Sequence, residues 1–287
     1  MCAFDFLAID PVLRNALLED IGAGDLTTES IVSPDLAATG DFVAKQNLIL
    51  AGWPLVSRIF RLLSADMDVT SSRSDGELIL VGETFGRANG KAVDLLKAER
   101  VILNFLQHLS GIATLTRAFV DAVAGTRATI LDTRKTTPGL RLLEKYAVRV
   151  AGARNHRFGL SDGVLIKENH ITAGGGMMQA VRRARSGIDH IKKLEVEVTN
   201  FEELSLALEA GVDVVLLDNL RPQQVREAVQ RVAGKVPLEV SGGVNLQNVR
   251  EYAECGVDFI SIGALTHSAK AADISLELRL QIPGLSG

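Results

Sequence analysis

Three short segments rich in basic residues lie between residues 134 and 170 of this 287-residue chain. Arg134 and Lys135 are adjacent, "RNHR" follows at 154–157, and Lys167 ends the apolar run "GVLI". Guanidinium groups suit planar carboxylates, and a lysine at the end of an apolar strand needs an acidic partner or an anionic ligand. If the fold brings the three segments together, they would bind an anion of two or three charges. Otherwise, a pair such as Arg134–Lys135 is a solvated basic loop.

Acidic residues and glycine-rich turns follow later in the chain. Glu195 and Glu197 share one face of the run "KLEVEVT", and Asp218 ends "DVVLLD". These carboxylates could bind Mg²⁺, hold ribose hydroxyls, or form salt bridges with the basic residues. A phosphate could be bound by backbone N–H groups and polar side chains of two turns, "VSGGVN" and "SIGALTHS", which contain Ser241, Gly242, Gly263 and His267.

The elements that position these residues are strands alternating with helices from about residue 128 onward. There are six β-branched runs, "ATILDT", "GVLIKE", "KLEVEVT", "DVVLLDN", "PLEVSGG" and "FISIGAL". A charged or polar residue lies at the end of the first five: Asp132, Lys167, Glu197, Asp218 and Ser241. This alternation predicts βαβ units and a parallel sheet, and functional groups at the carboxyl ends of strands are typical of a βα barrel. Six signals are fewer than eight, which predicts an incomplete barrel of about six to seven strands. An open doubly wound sheet is the alternative, although no G-x-G-x-x-G follows a strand.

A helix is predicted directly after the first basic pair. Thr137 is a suitable N-cap and Pro138 a suitable first helical residue. We therefore expect Arg134 and Lys135 to lie near a helix N-terminus, where anions are favoured. Residues 1–110, by contrast, mix short helical and strand-like runs that glycine and aspartate interrupt.

The overall composition excludes several classes of function. A net charge of -4 and a pI of about 5.8 argue against binding to nucleic acid or an anionic membrane. No apolar run reaches the roughly 18 residues of a membrane span, and the first residues do not resemble a signal peptide. Cys2 and Cys255 have no metal-like spacing and are too few for a disulfide framework, which predicts a reducing, cytoplasmic compartment.

The motifs and their order resemble the quinolinate phosphoribosyltransferase family over nearly the whole chain. The resemblance rests on "LLEDIGAGDLTT", "ERVILNFLQHLSGIATLT", "LDTRKTTPGLRLLEKYAVRVAGARNHRFGLSDGVLIKENHI", "VEVTNFEEL", "VVLLDN", "EVSGGVN" and "DFISIGALTHSAKAADISL". It implies an α/β protein in which an N-terminal α/β sandwich domain, expected at 1–110, precedes an incomplete α/β barrel at 111–269. The tail at 270–287 is expected to pack with the first domain.

The resemblance also implies an enzyme of NAD biosynthesis. Such an enzyme transfers phosphoribosyl from 5-phosphoribosyl 1-pyrophosphate to quinolinate with Mg²⁺, releasing nicotinate mononucleotide, pyrophosphate and CO₂. The family forms homodimers that share active sites, or larger assemblies such as hexamers. The residues implied to bind quinolinate are Thr133, Arg134, His156, Arg157 and Lys167, with Arg100 from the neighbouring subunit. Those implied on the sugar-phosphate side are Lys135, Glu197, Asp218, Ser241, Gly242, Gly263 and His267.

Four of these residues are expected to be catalytic, namely Lys135, Lys167, Glu197 and Asp218, and the two acids are candidate Mg²⁺ ligands. The chain departs from the family pattern at Ala151 and Ala153, where glycines are common, and at Glu168, which replaces an aspartate. A related protein of molybdate-transport operons shares the fold, but the retained "NHR", "IKENH" and "LLDN" segments favour the enzyme. Two other functions are considered: phosphoribosyl transfer to nicotinate without decarboxylation, and a non-catalytic anion sensor.

Overall fold

The computed structural model describes residues 4–280, which fall into two compact units. The first unit contains the residues up to Leu115, Thr137–Gly152 and the residues from Ser268 onward. The second contains Thr116–Thr136 and Ala153–His267. Cys2 and residues 281–287 of the predicted C-terminal tail lie outside the described residues, whereas Cys255 is buried as a free thiol.

The first unit is built on an antiparallel sheet with the strand order β12-β1-β5-β3. Its strands are β1 (Ala37–Ala44), β3 (Asp68–Ser71), β5 (Thr84–Lys91) and β12 (Ile274–Leu280), and a separate pair is formed by β2 (Leu48–Ile49) and β4 (Leu78–Ile79). Its helices are α1 (Phe6–Ile21), α2 (Leu26–Ile31), α3 (Trp53–Leu62) and α5 (Arg141–Val150), and α4 (Ala92–Ala122) begins there. The prediction of a mixed α/β N-terminal domain is confirmed, and the chain returns to it through β12.

Aromatic packing explains why glycine interrupts strand β5. The Trp53 ring meets Phe42 and Phe85 edge-on, with centroids 5.2 and 5.8 Å apart. A Cβ atom at Gly86 would overlap the same indole. The glycine therefore lets a large ring lie directly on the strand, and the buried ring anchors α3 to the sheet.

The second unit is the predicted incomplete barrel. Six parallel strands run in the order β6-β11-β10-β9-β8-β7: β6 (Thr129–Leu131), β7 (Val164–Ile166), β8 (Leu194–Val198), β9 (Val214–Asp218), β10 (Leu238–Ser241) and β11 (Phe259–Ser261). The intervening helices are α6 (Glu168–Gly174), α7 (Met177–Gly187), α8 (Phe201–Glu209), α9 (Pro222–Val232), α10 (Val249–Ala253) and α11 (Ala264–His267). Within residues 4–280, no strand pairing joins β6 to β7, so the barrel is open there.

Strand β9 illustrates how the sequence specifies this sheet. Residues 214–217 are apolar and buried, as expected for a strand covered on both faces, and the only partly exposed residue is Asp218 at its carboxyl end. Parallel pairing places Ser241 of β10 opposite Asp218. The polar ends of neighbouring strands therefore lie at one end of the barrel.

The predicted helix start at Pro138 is wrong, because α5 begins at Arg141. Gly139 has a φ of +82°, a left-handed conformation that cannot continue a right-handed helix. The buried Glu144 accepts a hydrogen bond from the Thr137 N–H at 3.1 Å, which stabilises the turn. Arg134 and Lys135 therefore lie in the loop before that turn, away from the start of α5, and the predicted helix-dipole contribution does not apply to them.

Across residues 4–280, none of the helices, including the long α4, combines the length and hydropathy needed to cross a bilayer.

Candidate active site

A cavity of about 340 Å³ lies at the carboxyl ends of the barrel strands. This volume falls within the range of small-molecule sites. Every site residue predicted in the second unit lines it, namely Thr133, Arg134, Lys135, His156, Arg157, Lys167, Glu197, Asp218, Ser241, Gly242, Gly263 and His267. We call it the strand-end cavity. The three basic segments thus face one volume rather than forming separate surface patches.

The turn that carries Lys135 is held on both sides by threonine hydroxyls. The Lys135 N–H donates to Thr133 Oγ1 at 3.0 Å, and the buried Thr266 donates its hydroxyl to the Lys135 carbonyl at 2.7 Å. Among the described residues, the Lys135 ammonium makes no ion pair or hydrogen bond. Its backbone is fixed while its charge faces the cavity, which is the arrangement expected for binding a mobile anion.

A buried aspartate fixes the segment that carries His156 and Arg157. Asp132 is fully buried at the end of β6, where its two carboxylate oxygens accept the His156 N–H at 2.8 Å and the Asn155 amide at 2.6 Å. The sequence shows Asp132 at a strand end, but only the fold shows that it binds a segment more than twenty residues away. Asp132 is therefore a supporting residue that the sequence analysis did not identify.

Positive charge is concentrated around Arg157. Its guanidinium donates to the Gly163 carbonyl at 2.8 Å. Burial, and next the neighbouring Arg134 guanidinium, lower the pKa of Arg157, although a guanidinium stays protonated at neutral pH. The charges of Glu195 and Asp162 offset part of the repulsion between the two guanidinium groups, and a bound anion would offset more of it. A site that brings two guanidinium groups together is a candidate for binding a carboxylate or phosphate.

The acids of the cavity have different partners. Glu197 of β8 forms an ion pair with Lys167. A salt bridge of this kind was one of the alternatives that the sequence left open for the acids. Asp218 instead accepts a hydrogen bond from the Asn219 side chain at 2.6 Å. The second oxygen of each carboxylate has no protein partner within residues 4–280. Both acids therefore present oxygen atoms to the cavity.

A second pair of acids surrounds His156. His156 Nε2 lies 3.1 Å from Glu195 Oε2 and 3.7 Å from Glu239 Oε1. Burial, and next the charge of Glu195, raise the pKa of Glu239 to about 8. Glu195 was recognised in the sequence as sharing a face with Glu197, whereas Glu239 was not among the predicted site residues. The alternation in "LEVS" puts Glu239 and Ser241 on the same face of β10, and this was the available signal.

The two glycine-rich turns are closely packed. Gly242 has a φ of +91°, and a Cβ atom there would lie 3.0 Å from the Asn219 backbone nitrogen and closer still to its side-chain oxygen. A Cβ at Gly263 would lie 2.9 Å from Lys135 Cδ and 3.2 Å from His267 Nε2. Glycine at these positions lets the turns approach each other and leaves backbone N–H groups near the cavity.

Arg100, the residue expected from a neighbouring subunit, is exposed on α4 in the first unit. It is not among the described residues that line the strand-end cavity. Periodicity alone would assign it to a solvated helix face, and its predicted role remains a prediction.

Comparisons with known proteins agree with this architecture. Residues 25–110 match the family model of the quinolinate phosphoribosyl transferase N-terminal domain, and residues 112–277 match that of the C-terminal domain. A probable nicotinate-nucleotide pyrophosphorylase [carboxylating] of Bacillus subtilis is 43% identical over 274 residues, covering 96% of this chain and 94% of its own. A nicotinate-nucleotide pyrophosphorylase [carboxylating] of Mycobacterium leprae is 43% identical over 286 residues, covering 96% of this chain and 99% of its own.

A solved structure shows the same likeness in three dimensions. The crystal structure of NadC from Streptococcus pyogenes has a TM-score of 0.94 and 39% sequence identity, and the match covers 98% of this chain and 100% of that one. With both family models matched in order and relatives above 40% identity over nearly the full length, the chain belongs to the quinolinate phosphoribosyl transferase family.

Proposed function

We propose that this protein transfers phosphoribosyl from 5-phosphoribosyl 1-pyrophosphate to quinolinate with decarboxylation. The products are nicotinate mononucleotide, pyrophosphate and CO₂, as in NAD biosynthesis. The main observation in support is that one cavity is lined both by the cations Arg134, Arg157 and Lys167 and by the acids Glu197 and Asp218. A ligand with a single carboxylate would not need that many cations, and a simple anion binder would not need the acids.

In this proposal, the basic side of the cavity binds the two carboxylates of quinolinate. Arg134 and Arg157 provide planar donors for one or both carboxylates, Lys167 provides a third cation, and Thr133 lines the same cavity. Lys167 forms an ion pair with Glu197, so a bound quinolinate carboxylate would share the charge of Lys167 with that acid. His156 was also expected to contact quinolinate; it lines the cavity, and its ring also contacts Glu195 and the Arg157 N–H.

The opposite side of the cavity binds the sugar and its phosphates. The Gly242 and Gly263 turns, with Ser241 and His267, would hold the 5-phosphate through N–H and side-chain donors. Lys135 would stabilise the negative charge that develops on the pyrophosphate as it leaves. This division places the pyridine nitrogen and the ribose C1 between the two groups of cations.

The reaction then depends on positioning and electrostatics. The pyridine nitrogen attacks ribose C1 while the bond to pyrophosphate breaks, and Glu197 or Asp218 stabilises the positive charge that develops on the sugar. The bond between the ring and its 2-carboxylate then breaks, CO₂ leaves, and the electron pair stays on C2, where the adjacent positively charged nitrogen stabilises it until C2 takes up a proton from water. The remaining carboxylate stays bound to the arginines, so no covalent nucleophile from the protein is required.

Mg²⁺ is proposed as the metal of this reaction. The donors fit it, because Glu197 and Asp218 each present a carboxylate oxygen to the cavity, and Mg²⁺ prefers oxygen ligands completed by water and phosphate. When bound, the ion would neutralise charge on the pyrophosphate.

We further propose a homodimer, or a larger assembly of dimers such as a hexamer, in which Arg100 reaches the partner's cavity. The exposure of Arg100 on α4 supports this idea, since an arginine there is accessible to a second copy of the chain. A cytoplasmic location is proposed from the cysteine usage alone.

The deciding experiment is a paired assay. The pure protein is incubated with Mg²⁺, phosphoribosyl pyrophosphate and either quinolinate or nicotinate, and nicotinate mononucleotide and CO₂ are measured separately. Mononucleotide with equal CO₂ from quinolinate alone supports the proposal. Mononucleotide from nicotinate without CO₂ would assign the sister activity. Binding of quinolinate without turnover, by a folded protein, would make the protein an anion sensor.

A further inference from the structure

Asn219, the residue directly after strand β9, has a left-handed backbone conformation. Its φ of +56° is one that glycine adopts freely and that most other residues avoid. The Asn219 N–H donates to the Ser241 carbonyl at 2.9 Å, so this conformation joins the ends of β9 and β10. Glycine would meet the same backbone requirement without strain, so the asparagine side chain needs a separate explanation.

The Asn219 side chain has a defined place between two residues of the strand-end cavity. Its amide nitrogen, Nδ2, donates to Asp218 Oδ2 at 2.6 Å. Its amide oxygen, Oδ1, occupies the space that a Cβ atom at Gly242 would need. The side chain therefore packs against the Gly242 backbone while its nitrogen holds Asp218, and the absence of a side chain at position 242 is what lets the amide fit there.

We propose that Asn219 is a positioning residue that fixes the orientation of the Asp218 carboxylate. An aspartate carboxyl group rotates readily about its last side-chain bond, and a donor bound to one oxygen selects one orientation. Hydrogen bonds to an ionised acceptor are stronger than those between neutral groups. With Oδ2 bound to the amide, Oδ1 has no protein partner within residues 4–280 and remains available to a ligand in the cavity that Asp218 lines.

The contacts of Asn219 all lie on one side of the proposed active site. Asp218, Ser241 and Gly242 are the residues assigned above to the sugar and its phosphates, and none of the three is assigned to quinolinate. Losing the amide should therefore weaken the use of phosphoribosyl pyrophosphate more than the binding of quinolinate. This kinetic consequence rests on the proposed function, whereas the hydrogen bond between the two side chains does not.

The kinetic test compares two variants of Asn219. Asn219→Gly keeps the left-handed backbone and removes the amide, whereas Asn219→Asp keeps the shape but places a second carboxylate beside that of Asp218. We expect kcat/KM for phosphoribosyl pyrophosphate to fall about tenfold in the Gly variant and about a hundredfold in the Asp variant, where like charges repel. KM for quinolinate should change little. The matched control is Ala233→Gly, which relieves a φ of +49° at an exposed position after α9 and should keep full turnover.

Three kinetic outcomes would overturn the proposal. If the folded Asn219→Gly protein has the wild-type kcat/KM for phosphoribosyl pyrophosphate, the amide does not position Asp218. If Asn219→Asp is as active as Asn219→Gly or more so, position 219 does not need a donor. If KM for quinolinate rises as much as kcat/KM for phosphoribosyl pyrophosphate falls, the substitution disturbs the whole cavity rather than one carboxylate. Thermal unfolding of each variant establishes that it is folded.

A spectroscopic test is independent of turnover, so a protein that fails to use quinolinate still tests the hydrogen bond. NMR of ¹⁵N-asparagine-labelled protein identifies the Asn219 side-chain amide by its loss in Asn219→Gly or Asn219→Asp. We expect this signal to shift when Asp218→Ala removes the acceptor. The Asn155 amide, which donates to Asp132, is the internal reference and should stay in place. An Asn219 amide that shifts no more than that of Asn155 would overturn the proposal.

Discussion

Replacing Glu239 by glutamine should change how the stability of the protein depends on pH. Burial raises the pKa of Glu239 to about 8 in the folded protein, whereas an unfolded chain returns it to the ordinary glutamate value of 4.5. Well below pH 4.5 the carboxyl group is protonated in both states, so the titration of Glu239 does not change the free energy of folding. As the pH rises toward 8, the unfolded state releases a proton that the folded state retains, so the wild type loses stability.

The size of this loss follows from the two pKa values. At pH 5 the folded state is disfavoured by roughly 1 kcal/mol at this site, and at pH 7 by about 3 kcal/mol, at 1.36 kcal/mol for each pH unit between the pKa values. Glutamine has no proton to retain. The free energy of unfolding of Glu239→Gln, relative to the wild type, should therefore increase by roughly 2–3 kcal/mol between pH 5 and pH 7.

Urea unfolding at several pH values measures this difference directly. The matched control is Glu209→Gln, the same chemical change at an exposed residue at the end of α8. Its difference from the wild type should be the same at every pH. A flat difference for Glu239→Gln would refute the reasoning, because it would mean that the folded protein releases the Glu239 proton as readily as the unfolded chain.

Three further predictions concern the cavity and the assembly. Lys135→Ala should lower kcat by roughly thirtyfold to a thousandfold, about 2–4 kcal/mol, because a contact to developing charge is lost. Arg100→Ala and Lys167→Ala should each be inactive, but mixing them should restore some activity, because one site of a mixed dimer keeps both residues; turnover after subunit exchange measures this. Gly242→Ala should be destabilised by more than about 2 kcal/mol in urea unfolding, since its φ of +91° and the approach of Asn219 leave no room for a methyl group.

Matched variants separate these effects from general damage. Lys235→Ala removes an exposed lysine after α9 and should keep full turnover, so equal losses at 135 and 235 would remove Lys135 from the site. Gly234→Ala also places a residue at positive φ, +76°, but has no atom within 4 Å of the new methyl group. It should cost only the backbone strain, about 1 kcal/mol. If mixtures of the Arg100→Ala and Lys167→Ala proteins regain no activity after their subunits have exchanged, the active sites are not shared between subunits.

The sequence by itself determined the parallel strands, the identity of most cavity residues and the family. Buried parallel strands are recognisable because they need continuous apolar runs, and polar residues at their ends mark where the cavity forms. Asp218 and Ser241, for instance, each end such a run, and the register places them side by side. These inferences use local sequence patterns, which can be recognised without the tertiary structure.

The tertiary structure alone decided which partner each charged residue has. Glu195 and Glu197 look equivalent in "LEVEV", yet one meets His156 inside the barrel and the other pairs with Lys167. Glu239 was missed because burial, not sequence spacing, raises its pKa. The start of α5 was misplaced because Glu144 and Gly139 stabilise a turn that the Thr-Pro signal does not reveal. Desolvation and contacts between distant residues depend on the folded chain, so local sequence patterns do not encode them.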